Sequence, residues 1–145
     1  MTGILLIDCW EPPVWKPWVH QLYRNIITVI EQHQPVVVVD ASYGDASKSI
    51  TLAPYITTSI TELAPLLALN IKQWICMGRD WQQCVHYRPV GLIALSRTNL
   101  EVVCVADTIS KTTGDFVNYT DFAQDQLKWL AINKTSWKLE TQLTS

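Results

Sequence analysis

The sequence predicts an α/β fold in three layers, with a mainly parallel sheet flanked by helices. Three observations carry that reading. Four short apolar runs, over residues 3–7, 36–39, 74–77 and 102–106, are rich in aliphatic side chains without polar alternation, the pattern of strands covered on both faces. Segments of helical periodicity separate them, as βα units with right-handed crossovers require. The composition is globular: 48% of residues are apolar and 17% charged, which excludes a disordered chain. A length of 145 residues suits one domain, placed here at 1–133, followed by a Thr- and Lys-rich tail at 134–145.

Each element has a local reason. Residues 3–10 read as a buried strand that Glu11-Pro12-Pro13 breaks. Pro17 opens a helix, because its missing N–H falls among the unpaired donors of a first turn. Val19, Leu22, Ile26, Val29 and Ile30 then form one apolar face, and the helix ends near Gln32-His33-Gln34. Pro35 precedes the four-valine strand that ends in Asp40. Residues 41–53, with Gly44 and several Ser and Thr, read as a loop. Ser59-Ile60-Thr61-Glu62 has the form of a capping box ahead of a short helix carrying Leu63, Leu66 and Leu67, with Pro65 kinking it or marking its first turn. Residues 73–78 form the third strand. Residues 79–99 are helical in part, with Pro89 opening the piece from Val90 to Leu95. The fourth strand runs to Asp107, and a last amphipathic helix covers 119–132.

The bulk properties narrow the function classes. A net charge of −2 without a basic patch argues against nucleic-acid binding. No apolar stretch is long enough to span a bilayer, and the start lacks the basic region of a secretory leader. Four cysteines without a CxxC pair point to free thiols in a reducing cytoplasm. Seven tryptophans, three of them within residues 10–18, suit core filling and also a homo-oligomeric interface.

Chemistry is concentrated at the strand ends. The first strand closes on Asp8, and the third leads through Gly78 to Cys84. Carboxyl ends of parallel strands meet in one crevice, so an acid and a thiol far apart in sequence can share a site. Cysteine attacks as a thiolate and needs a proton acceptor, a role open to Asp8. Lys48, in the loop after the second strand, is placed to hold that carboxylate. Asp40 opens onto the same crevice as a candidate substrate contact. Arg79 and Arg88 flank the cysteine segment, where either can meet a substrate carboxylate. His86, two residues from Cys84, points away from it on a helix.

With these residues in place the chain resembles the isochorismatase-like cysteine hydrolases, which include nicotinamidases and carbamoyl-cleaving amidohydrolases. The resemblance rests on the strand Leu5-Leu6-Ile7-Asp8, on the run from Ile75-Cys76-Met77-Gly78 to Cys84-Val85, on the strand ending in Asp107 and on the closing helix, and it covers roughly residues 3–132. It implies a doubly wound sheet and an Asp8-Lys48-Cys84 triad, with an acyl-enzyme released by water. It also implies an oxyanion hole from the backbone N–H groups of Cys84 and Asp80. The chain departs from the family in a compressed stretch around Lys48, in the carboxylate at Asp80 and in the interruption at Pro89. The loop 40–45 has no histidine, so neither the family's zinc site nor any other cofactor is expected.

Two functions follow. The first is a small cysteine hydrolase that cleaves a C–N bond of a small amide, with Asp80, Asp40 and Arg79 around the substrate. The second is a non-catalytic descendant that keeps the fold as an oligomeric binding or scaffold protein.

Overall fold

β1 (Thr2–Ile7) and β4 (Gln73–Gly78) lie side by side at the centre of the sheet, paired in parallel from Thr2–Gln73 to Ile7–Gly78. In this computed structural model, which describes residues 1–11, 16–43, 50–111, 113–117 and 138–140, the remaining strands are β2 (Val37–Asp40), β3 (Thr58–Ser59), β5 (Glu101–Ile109) and β6 (Lys138–Glu140). The order across the sheet is β3-β2-β1-β4-β5-β6, and every neighbouring pair is parallel. The chain builds outward from β1 to β3, returns to the middle for β4, then builds outward again. That is the doubly wound arrangement, and its switch point falls between β1 and β4.

The apolar runs explain the layering. In β1, Ile4 and Leu6 face one side and Leu5 and Ile7 the other, and all four are fully buried. One face is covered by α1 (Pro17–His33), which buries Val19, Leu22, Tyr23, Ile26, Val29 and Ile30 against Ile4, Leu6, Val38, Ile75, Met77 and Val103. Each such aliphatic side chain is worth about 1.5–3 kcal/mol relative to exposure. Pro17 sits in the first turn of α1, and Gln34 ends it in the left-handed conformation, its N–H reaching Ile30 O at 3.1 Å. The opposite face is covered by α2 (Leu63–Leu67), by a π-helical turn over Trp81–Val85 and by α3 (Leu92–Ser96). Leu66, Trp81, Val85, Leu92 and Leu95 pack there on Leu5, Ile7, Trp74 and Cys76.

The three-layer parallel fold expected from the sequence is the fold observed. Several boundaries differ for local reasons. β1 stops at Ile7, because Asp8 turns out of the sheet at φ 51°. Ser59 pairs with Asp40 in β3 instead of capping a helix. α2 begins after Glu62 with no side-chain cap, and Pro65 lies in its first turn, where a missing N–H costs nothing. Pro89 follows the Cys84 helical turn and does not open α3, whose N-cap is Gly91. β6 lies in the stretch read as tail, so the sheet continues past residue 133. The amphipathic helix expected at 119–132 falls outside the described residues.

Gly78 fixes the centre. Its φ of 141° suits glycine alone, and a Cβ there would lie 2.1 Å from the Ile7 carbonyl oxygen. Gly78→Ala should therefore cost about 3 kcal/mol or more, since strain and a backbone clash add. Chemical denaturation checks this, and a midpoint close to wild type would refute the close approach.

Candidate active site

The carboxyl ends of β1 and β4 open the site, and backbone bonds tie them to each other and to the end of β5. Arg79 N–H donates to Ile7 O at 3.0 Å, Ser110 N–H to Gly78 O at 3.0 Å and Trp81 N–H to Ser110 O at 2.9 Å. Asp8 and Asp80 leave their strands in the left-handed conformation, with φ values of 51° and 65°. Asparagine and aspartate tolerate that region better than other residues with a side chain. From Asp80 the chain enters the π-helical turn, where the Val85 N–H reaches back five residues to the Asp80 carbonyl at 3.2 Å. This turn presents Cys84 half-buried, whereas Cys9, Cys76 and Cys104 are buried.

The structure brings Asp8 and Cys84 together. The Cys84 thiol is pushed up to about 11, first by burial, then by its interaction with the Asp8 carboxylate. Asp80 adds to the rise and Arg88 opposes it. Asp8 itself is buried, and its Oδ2 accepts from Arg88 Nη2 at 2.8 Å and Nε at 3.3 Å. Its Oδ1 is buried with no hydrogen-bond partner among the described residues. Among the described residues, the cation on Asp8 is thus Arg88, for which the sequence predicts only a charge flanking the cysteine segment. Lys48 lies outside the described residues.

Arg88 was detectable by spacing. It follows Cys84 by four residues, its N–H donates to Cys84 O at 3.1 Å, and one helical turn aligns residues at that separation. Its guanidinium also lies over the Tyr43 ring, 4.6 Å from the centroid, and Tyr43 is fixed by donating to Thr61 O at 2.7 Å. Burial works against the Arg88 charge, and Asp8 more than offsets it.

The other candidates are distributed around this centre. Asp40 is buried at the end of β2 and accepts from the Ser42 N–H at 3.0 Å. Burial raises its pKa, the Ser42 bonds oppose the rise, and Asp8 adds to it. Asp80 is half-buried at the entrance to the Cys84 turn. Arg79 stacks on Trp10 and Trp18, with its carbon centre 4.5 and 5.5 Å from their rings, and donates to Trp10 O at 3.4 Å. His86 is buried edge-on against Trp81, whose carbonyl oxygen its Nδ1 meets. Gln83, Cys84, Tyr87 and Arg88 line an open cavity of about 210 Å³. A second hollow of about 330 Å³ shares Tyr87 and Arg88 with it. Among the described residues, no group of three or more His, Cys, Asp or Glu is arranged to hold a metal ion. No described helix is long and apolar enough to cross a membrane.

No protein-family model matches the chain, and no curated protein is similar to it in sequence. Among solved structures it is similar to the crystal structure of N-carbamoylsarcosine amidase from Thermoplasma acidophilum. The TM-score is 0.62 over 97% of this chain and 95% of that one, at 12% sequence identity. The likeness shows the isochorismatase-like α/β fold.

The raised Cys84 thiol has a readable sign. Below about pH 11 it is protonated, so alkylation by iodoacetamide should rise about tenfold per pH unit through neutrality and label Cys84 before the three buried thiols. Asp8→Asn removes an anion that opposes the thiolate, so labelling at pH 8 should become about threefold to tenfold faster. Rate measurement with peptide mapping checks both points, and slower labelling of Asp8→Asn would contradict the placement of that carboxylate.

Proposed function

We propose that this chain is a small cysteine hydrolase cleaving the C–N bond of a small amide, with Cys84 as nucleophile, Asp8 as proton acceptor and Lys48 as a third member from the loop after β2. The observation that carries the reading is the half-exposed Cys84 thiol against the buried Asp8 carboxylate, at the switch point of a doubly wound sheet. The amidase with the same fold supports it.

In this reading Cys84 Sγ attacks the amide carbon while its proton passes to Asp8. Asp8 returns the proton to the departing nitrogen, leaving an acyl group on sulfur. Water then attacks the thioester, giving a proton to Asp8, which passes it to the departing Cys84 sulfur, so that the acid is released and both the thiol and the Asp8 carboxylate are restored. The raised thiol keeps Cys84 neutral at rest, so the nucleophile forms only with a base beside it. The backbone N–H groups of Asp80 and Cys84 are the proposed oxyanion donors, each worth about 3 kcal/mol of barrier. Asp40, Asp80 and Arg79 are the proposed substrate contacts, and no cofactor takes part in these steps.

The test is ammonia release from N-carbamoylsarcosine and a panel of small primary amides. Wild type should turn over at least one, and Cys84→Ala and Asp8→Asn should each fall by about a thousandfold or more, as removing a nucleophile or its base does. Equal background rates for wild type and Cys84→Ala across the panel would favour the second reading, a binding or scaffold protein. The neutral resting thiol is the observation on that side.

We also propose a homo-oligomer in a reducing cytoplasm. Four free cysteines support the compartment, and the exposed side chains of Val36, Leu67 and Leu69 support self-association. Size-exclusion chromatography with light scattering should return a dimer or larger species, and a clean monomer would remove the proposal.

A further inference from the structure

We propose that Arg88 is a positioning cation of this site: it clamps Oδ2 of Asp8, leaves Oδ1 to take the Cys84 proton, and belongs to the same helical turn as the nucleophile. The inference rests on the hydrolase reading for its chemistry, and its geometry stands apart from that reading. Two charge-assisted hydrogen bonds, at 2.8 and 3.3 Å, converge on Oδ2, while Oδ1 is buried with no partner among the described residues. A carboxylate held by one oxygen has its other oxygen directed, which is what a base facing a single thiol requires.

Arg88 is itself held from three sides. Its N–H bonds the Cys84 carbonyl at 3.1 Å, its guanidinium rests on Tyr43, and its own carbonyl accepts the Gly91 N–H at 2.7 Å, where Pro89 has ended the turn. Cys84 and Arg88 are therefore tied through one backbone turn, whereas Asp8 arrives from β1. Among the described residues, the charged groups acting on the thiol are Asp8, Asp80 and Arg88, and Arg88 is the cation of that set. Arginine stays charged at any working pH, so unlike a lysine it cannot exchange protons. Arg88 itself therefore takes no part in the proton transfers among Cys84, Asp8, the substrate and the attacking water.

The test uses iodoacetamide at pH 8 on the full chain, with peptide mapping. Arg88→Gln should label Cys84 about threefold to tenfold more slowly than wild type, and Arg88→Lys, which keeps the charge, should stay within about twofold. Cys9, Cys76 and Cys104 should remain unlabelled in both variants, which shows that the fold has held. A wild-type rate in Arg88→Gln, an equal loss in Arg88→Lys, or a loss in Lys48→Met with Arg88→Gln silent would each overturn the assignment.

Turnover adds a second readout. With N-carbamoylsarcosine as probe, Arg88→Gln should lower kcat about tenfold to a hundredfold with KM within about threefold. A rise in KM at constant kcat would make Arg88 a substrate anchor and overturn the positioning role. Turnover that survives Cys84→Ala would instead remove the hydrolase reading and leave the labelling comparison to decide the role of Arg88.

Discussion

The parallel ladder between β1 and β4 joins the two halves of the doubly wound sheet, and its last pair sets Ile7 against Gly78. No side chain fits at Gly78, because the Ile7 carbonyl occupies the place of its Cβ. The two strands therefore stay in contact to their ends and diverge only beyond them. Asp8 leaves one side of that divergence and the Cys84 turn leaves the other. Asp8, Cys84 and Arg88 are each placed by this contact or by a hydrogen bond that starts within a few residues of it.

The ion pair across the divergence is partly desolvated, with Asp8 at 5% side-chain exposure and Arg88 at 34%. Such a pair contributes little net stability, because removing water from both charges offsets their attraction. Removing one partner is costly, since it strands the other. Its value here is geometric: it decides which way a buried carboxylate faces. The Tyr43 ring under the guanidinium and the Thr61 carbonyl on the Tyr43 hydroxyl extend the same restraint into the loop after β2.

The central strands and α1 were legible because their signals are dense. Four valines in a row admit few other structures, and the face from Val19 to Ile30 repeats at helical spacing over several turns. Asp8 and Cys84 were legible as well, because a parallel sheet gathers its carboxyl ends whatever the sequence distance. Elements without a side-chain signature were missed. β3 consists of Thr58 and Ser59, both exposed, and its pairing with β2 is a backbone matter. The role of Arg88 was missed because charge next to Pro89 reads as solvated. The helical turn that follows Cys84, closed by the Arg88 N–H on the Cys84 carbonyl, brings that guanidinium back to Asp8. Lys48 carries a spacing argument alone.

Left-handed aspartates recur where the strands turn: Asp8 after β1, Asp80 after β4 and Asp107 within β5. A residue with a Cβ in this conformation holds on the order of 1 kcal/mol of strain, which glycine would release. At Asp107 that release is open to selection or to engineering. At Asp8 the same change deletes the carboxylate around which the site is built. The site edge of the sheet thus sets a ceiling on the stability this fold can reach while it keeps that carboxylate, and variants selected for heat resistance alone would be drawn toward losing the acid first.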